Sequence, residues 1–314
     1  MMAILSPPAG GSDSSCRIPV VSGMGGVGKT ALAVHAAHAV RSQFPDGQLY
    51  ADLGGTSTRH TEPAEVLLGF LRGLKVSESA IPTGLHERSQ LFRTCVAGQR
   101  MLIVLDNVAS DAQVRPLIPG GSGCRVVVTK RTRLTTLEGA ALIDLDVLEP
   151  EKGLALLIKI IGPDRVGADP VAARRMVDLC GRLPLGLRIA GARLAARPHW
   201  ALARLVHQLE DRQRRLDELR LGGMDLRESL RCSYRRVSTQ AQTALRRLAW
   251  LTVPDFPAWT VAAVLHEPLT TGEEVAEMLV DARLLNVVQS DSAGRPRYSF
   301  HELVRLFAQA EPDE

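Results

Sequence analysis

A chain of 314 residues with 45% hydrophobic content is long and apolar enough to bury the cores of two or three domains, so a soluble, folded protein is expected. No apolar run reaches the roughly 18 residues that cross a bilayer, and residues 1–15 have neither a basic n-region nor an apolar h-region, which points to the cytoplasm and away from membranes. Five scattered cysteines (Cys16, Cys95, Cys124, Cys180, Cys232) form no CxxC or Cys/His cluster, arguing against a disulfide framework or a zinc site, and a net charge of +4 is too mild to argue for nucleic acid.

Residues 1–15 are rich in Pro, Gly and Ser and are expected to be disordered. Ile18, Val20 and Val21 then predict a short buried strand; Pro19 is tolerated at a strand's start. The next stretch, Gly23-Met24-Gly25-Gly26-Val27-Gly28-Lys29-Thr30, fits GxxxxGK[ST] at every fixed position and runs into Ala31, Leu32, Ala36, Ala39 and Val40 at helical spacing. It reads as a P-loop. Glycines 25, 26 and 28 permit the φ values that aim backbone amides at a phosphate, and the helix start adds its unpaired N–H groups and positive dipole end. Lys29 is expected to reach the β and γ phosphates and Thr30 to ligate Mg²⁺, with Gly23, Val27 and Ala31 completing the nucleotide contacts.

A second strand is predicted at Gln48–Leu53 after the turn Pro45-Asp46-Gly47, followed by helices near 63–74 and 86–96. Asp52-Leu53-Gly54-Gly55 matches the DxxG pattern of GTPases at its two fixed positions and is read as coincidence. Met101-Leu102-Ile103-Val104-Leu105-Asp106 is a continuous apolar strand ending in an acid, the Walker B pattern, and Asp106 is expected to help hold Mg²⁺. Asn107 stands where many P-loop ATPases carry a second, water-activating acid. An amide is a poor base, so hydrolysis should be slow and Asn107→Asp should speed it. A further buried strand, 123–128, leads into Thr129-Lys130-Arg131, where Arg131 could sense a γ-phosphate, and the missing Asp of a guanine-reading [NT]KxD element favours adenine. With a last strand at 141–147, residues 16–148 predict a doubly wound parallel five-stranded α/β sheet of P-loop NTPase type.

Residues 149–221 read as an all-α helical domain with helices near 152–161, 170–180, 183–196 and 200–209; Pro184 pre-sets the first turn of the third. The mixed charges of 210–231 read as solvated helix faces. Residues 222–314 suggest three helices (240–251, 259–265, 272–285), a hairpin (286–289 with 297–300) and a last helix from His301, the order of a winged-helix domain. Its would-be groove-reading segment, 273–285, sets Glu273, Glu274, Glu277 and Asp281 against Arg283 alone, the wrong sign for phosphate contact, so direct nucleic-acid binding is disfavoured.

With the Gly23–Thr30 loop, Leu105-Asp106-Asn107, Val128-Thr129-Lys130-Arg131, Gly181-Arg182-Leu183-Pro184-Leu185 and Phe300-His301-Glu302-Leu303 in this order, residues 16–309 resemble an NB-ARC module, most closely that of actinobacterial SARP-type transcriptional regulators. The resemblance implies a STAND-class switch that rests with ADP and meets a protein partner or assembles with itself when ATP replaces it. It also implies that Lys29, Thr30 and Asp106 serve phosphate and Mg²⁺, that Arg131 senses the γ-phosphate, that Pro184 packs near adenine and that His301 touches the ADP phosphates. Glu302 stands where the family pattern has Asp, and residues 1–15 supply no hhGRxxE-like segment. The rival readings are a metabolic or motor P-loop ATPase with fast turnover and a DNA-binding winged-helix transcriptional regulator.

Overall fold

The computed structural model describes residues 18–55, 60–121, 123–132, 136–290 and 294–312; the disorder expected of residues 1–15 lies outside these. Contacts divide the chain into two compact units, one holding Lys29–Leu145 with the residues up to Gly23, the other Met24–Gly28 with the residues from Asp146 on.

The first unit is built on a five-stranded parallel sheet. Its strands are β1 (Ile18–Gly23), β2 (Gly47–Asp52), β3 (Met101–Val108), β4 (Arg125–Lys130) and β5 (Ala140–Leu145), in the order β2-β3-β4-β1-β5. The β4 strand runs two residues beyond the expected end at Val128, and Lys130 is buried against Asp111 at 2.8 Å. Pro19 is accommodated because Ile18 N–H already donates toward the β5 side, to Gly139 O, while pairing with β4 begins only at Val20.

Alternation along the strands sorts residues onto two faces. Ile103, Leu105, Val126 and Val128 pack with Leu67 and Phe70 of α2 (Pro63–Gly73) and Phe92 of α3 (Leu85–Val96). Leu102, Val104 and Val127 pack under Ala33, Ala36 and Ala37 of α1 (Lys29–Ala39). Each buried Val, Leu, Ile or Phe side chain contributes about 1.5–3 kcal/mol and each alanine about 0.8 kcal/mol, so the apolar runs hold both layers to the sheet. The same parity sends Asp106 to the α1 face, the even-numbered continuation of Leu102 and Val104, and the short α4 (Asp111–Val114) follows β3.

In the second unit four helices start with proline in the first turn, where its missing N–H costs nothing: α5 (Pro150–Ile161), α6 (Pro163–Ala168), α7 (Pro170–Leu179) and α8 (Pro184–Ala195). The short α6 escaped the periodicity, though Gly162-Pro163 announces it. After α9 (Leu202–Glu210) and α10 (Arg215–Glu218) comes a tight hairpin of β6 (Arg220–Leu221) and β7 (Met224–Asp225). Helices α11 (Leu226–Tyr234), α12 (Thr239–Ala249), α13 (Ala258–Leu265) and α14 (Leu269–Asp281) follow; α11 adds a helix to the three expected. A three-stranded antiparallel sheet then joins β9 (Asn286–Ser290), β10 (Pro296–Ser299) and β8 (Phe256–Pro257), before α15 (Glu302–Ala310).

The expectation of solvated faces over 210–231 fails at Arg215. Its guanidinium is buried, donating to Leu209 O and to Glu302 Oε1 at 2.7 Å. Reading that stretch by charge density alone missed a long side chain turned inward to cap carbonyls.

Candidate functional site

The Gly23–Thr30 segment leaves β1 and enters α1 through glycines in conformations that side chains rarely adopt: Gly26 has φ +83 and Gly28 has φ +97. Lys29 and Thr30 fill the first turn of α1, whose amides have no partner within the helix. Lys29 Nζ turns back to donate to Gly23 O at 2.8 Å. Thr30 Oγ1 donates to the Asp106 carboxylate, 3.0 and 2.8 Å from its two oxygens.

Asp106 is 3% exposed, and the hydrogen-bond partners of its carboxylate among the described residues are hydroxyls: Thr30, Tyr50 at 3.1 Å and Thr129. All three reach it because α1, the even positions of β2 and the odd positions of β4 look onto one face. The Tyr50 ring is half-exposed, yet its hydroxyl points inward; burial, then the Asp106 charge, pushes its pKa up to about 12. It therefore remains a donor at neutral pH.

The next residue bulges the strand, which continues to Val108. Asn107 has φ +54, and the β3–β4 register shifts between Leu105 and Val108. Asparagine tolerates this left-handed conformation better than most residues. Its N–H donates to Thr129 Oγ1 at 2.9 Å, its carbonyl accepts from Gly55 N at 2.6 Å, and its side-chain amide donates to Asp52 Oδ1 at 3.2 Å. Gly55 is required there, since a Cβ would lie 2.3 Å from Asn107 O. The DxxG match thus has a packing reason of its own.

Arg131 follows β4 at a half-buried position. Within the second unit, Leu185 N donates to Gly26 O at 3.1 Å, and the Pro184 ring lies 3.7 Å from where a Gly28 Cβ would stand. His301 caps α15 by accepting from Leu303 N at Nδ1, 3.2 Å away, which puts the proton on Nε2, and Nε2–H donates to Gly181 O at 2.9 Å. Burial holds the imidazole below its ordinary pKa. Gly181 has φ +62 and no room for a side chain: a Cβ would fall 2.4 Å from His301 Cε1.

Within the first unit, Lys29, Thr30 and Asp106 fit a nucleotide phosphate with Mg²⁺. A buried carboxylate with only hydroxyl partners, one of them from the helix start, is a set of hard oxygen donors, and Mg²⁺ takes one or two carboxylates plus phosphates and water rather than an all-protein cage. No cluster of three or more His, Cys, Asp or Glu able to hold a metal occurs among the described residues. Of the residues expected from the sequence, the structure brings Thr30 and Asp106 together; Tyr50, Asp52 and the Thr129 hydroxyl lie on the same face and were not among the expected residues, although the alternation of Gln48, Tyr50 and Asp52 in β2 was an available signal. No helix among the described residues is long and apolar enough to cross a membrane.

The family model described as NB-ARC domain matches residues 11–167. The regulatory protein AfsR of Streptomyces coelicolor is 47% identical over 305 residues, covering 96% of this chain and 30% of the relative, and AfsR of Streptomyces griseus is 46% identical over 297 residues, covering 95% and 30%. The chain thus spans 30% of the length of the curated relatives it matches. Among solved structures, a STAND protein with a tetratricopeptide repeat sensor from Pyrococcus horikoshii aligns over 96% of this chain and 41% of its own at 16% identity, with a TM-score of 0.41. The parallel sheet, the Gly23–Thr30 loop, the buried acid of β3 and the family match together establish that the chain belongs to the NB-ARC domain family.

Proposed function

We propose that this chain is a regulatory switch that binds ADP or ATP with Mg²⁺ and hydrolyses ATP slowly. The observation that carries the reading is the Thr30 hydroxyl held against the buried Asp106 carboxylate. That pair would hold Mg²⁺, which supplies Lewis-acid stabilisation of phosphate charge when bound. Lys29 exchanges its bond to Gly23 O for phosphate oxygens, and Arg131 answers to the γ-phosphate. Pro184 offers an apolar ring to adenine. His301 already carries its proton on Nε2, so a phosphate oxygen can replace Gly181 O as acceptor without a change of tautomer.

In this reading residues 16–148 are the nucleotide-binding domain, 149–221 a helical domain and 222–314 a winged-helix domain, working in the cytoplasm. ATP in place of ADP releases a surface for a protein partner or a second copy. The winged helix is not proposed to read DNA, because α14 carries Glu273, Glu274, Glu277 and Asp281 and no lysine or arginine. Calorimetry on Lys29→Ala tests the core claim: ADP binding should weaken about 100-fold or more while the melting temperature holds, since the substitution removes a phosphate-facing charge rather than core. Unchanged ADP affinity in the folded variant rejects nucleotide binding at this loop, and a turnover of many per second favours a working ATPase instead.

A further inference from the structure

Asn107 leaves the position after Asp106 without a group that can take a proton. The structure offers a carboxylate beside it. Asp52 ends β2 directly opposite Asp106 in the β2–β3 register, on a strand about 4.8 Å away. Parity puts it on the same face as its neighbours Gln48, which donates to Ala37 O of α1 at 2.8 Å, and Tyr50, which donates to Asp106. Its side chain receives two hydrogen bonds, from Gly54 N at 2.8 Å and from Asn107 Nδ2 at 3.2 Å, and both fall on Oδ1. Oδ2 has no hydrogen-bond partner among the described residues, and the residue is exposed to solvent.

We propose that Asp52 is the general base for ATP hydrolysis in this chain, with Asn107 as the positioning residue that fixes its carboxylate; the proposal rests on the nucleotide-binding reading above. The water oxygen bonds to the γ-phosphorus as the bond from that phosphorus to the β–γ bridging oxygen breaks. The bond's electron pair leaves with ADP. Asp52 Oδ2 takes the water proton and later returns it to solvent, giving ADP and inorganic phosphate. Asp106 is unsuited to this task, because three hydroxyls occupy its carboxylate and it is the residue that would hold Mg²⁺.

The competing role for Asp52 is purely a turn role, since its Oδ1 bond to Gly54 N closes an Asx turn. Asp52→Asn separates the two. Asparagine keeps an oxygen for Gly54 N but cannot act as a base at neutral pH. In the full chain, Asp52→Asn should hydrolyse Mg·ATP in single turnover about 100-fold or more slowly, in line with the usual contribution of a general base. Its melting temperature and its ADP affinity by calorimetry should stay within the wild-type range, and after gel filtration it should retain ATP where wild type retains ADP. Asp52→Glu should recover part of the rate.

Hydrolysis by Asp52→Asn within about threefold of wild type, with ATP bound, overturns the assignment while leaving nucleotide binding intact. A lowered melting temperature or lost ADP affinity in Asp52→Asn makes the residue structural and overturns it as well, as does a wild type that binds ATP and never cleaves it. Failure of the underlying reading looks different: Lys29→Ala and wild type would then bind ADP equally or not at all.

Discussion

Asp106 in the first unit and Arg215 in the second are each 3% exposed, yet they are satisfied in opposite ways. Arg215 meets a carboxylate, Glu302, and backbone carbonyls at Leu209 and Glu210, so its charge is neutralised and its donors are spent. The Asp106 carboxylate meets neutral hydroxyls, which bring it no opposite charge. A buried cation with an anion attached has its charge answered within the fold, whereas a buried carboxylate held by hydroxyls has partners that can turn away. Isolated buried charges are costly, and a chain that retains one in this form supports a role that needs it.

The strongest way to break the comparison is to remove both charges. Arg215→Met leaves the Leu209 carbonyl without its donor and Glu302 with only the more distant Arg212, at 3.9 Å, and should cost about 3 kcal/mol of stability in a denaturant titration. Asp106→Asn should cost only about 1 kcal/mol of stability, because hydroxyls can turn to suit an amide, but should weaken Mg²⁺-dependent nucleotide binding about 100-fold. Equal destabilisation by the two substitutions would erase the distinction between them.

His301 sharpens the comparison from a third side, as a buried group kept neutral. Burial places its folded pKa below the unfolded value, so the unfolded chain takes up a proton first as the pH falls. Stability should therefore be full at pH 7 and above, and should drop through the window from the unfolded histidine pKa near 6.5 down to the folded value, by at most about 1.4 kcal/mol per pH unit. Denaturant titrations at pH 7.5, 6.0 and 5.0 check this, and His301→Gln should flatten that part of the profile. As a phosphate donor His301 is also expected to weaken ADP about 10- to 100-fold on replacement by alanine, with a smaller effect on ATP; equal losses for both nucleotides would make the ring structural. The smallest effect belongs to Tyr50→Phe, which removes one of three hydroxyls from Asp106 and should cost about 1 kcal/mol or less by thermal melting. A larger loss would mean that the hydroxyl set is rigid rather than replaceable.

Much of the sheet was legible because buried parallel strands are written as continuous apolar runs, and 101–106 and 123–128 are such runs. The P-loop was legible because its fixed glycines answer to backbone geometry. Less legible were features that depend on which residues meet across strands. Asp52 belonged to a motif dismissed as chance, and Tyr50 looked like an ordinary strand residue; only the pairing of β2 with β3 brings both to Asp106. Arg215 was hidden by its neighbours, since arginines within a mixed-charge stretch look alike until one of them folds inward. His301 was placed at the head of the last helix from its sequence order, but its bond to Gly181, 120 residues away, has no local signature.

The strict alternation of β2 and β3 makes the chain intolerant to small changes of length in a way that substitutions do not reveal. Deleting one residue ahead of Tyr50 within β2 would leave composition and strand propensity almost untouched, yet it would turn Tyr50 and Asp52 into the layer beneath α2 and α3 and bring Leu49 and Ala51 out toward Asp106. Deleting two would restore the facing and shorten only the strand. Inheritance of this site is thus governed by odd and even, and length variation among homologous chains should collect in the connecting loops and avoid the strands that carry Asp52 and Asp106.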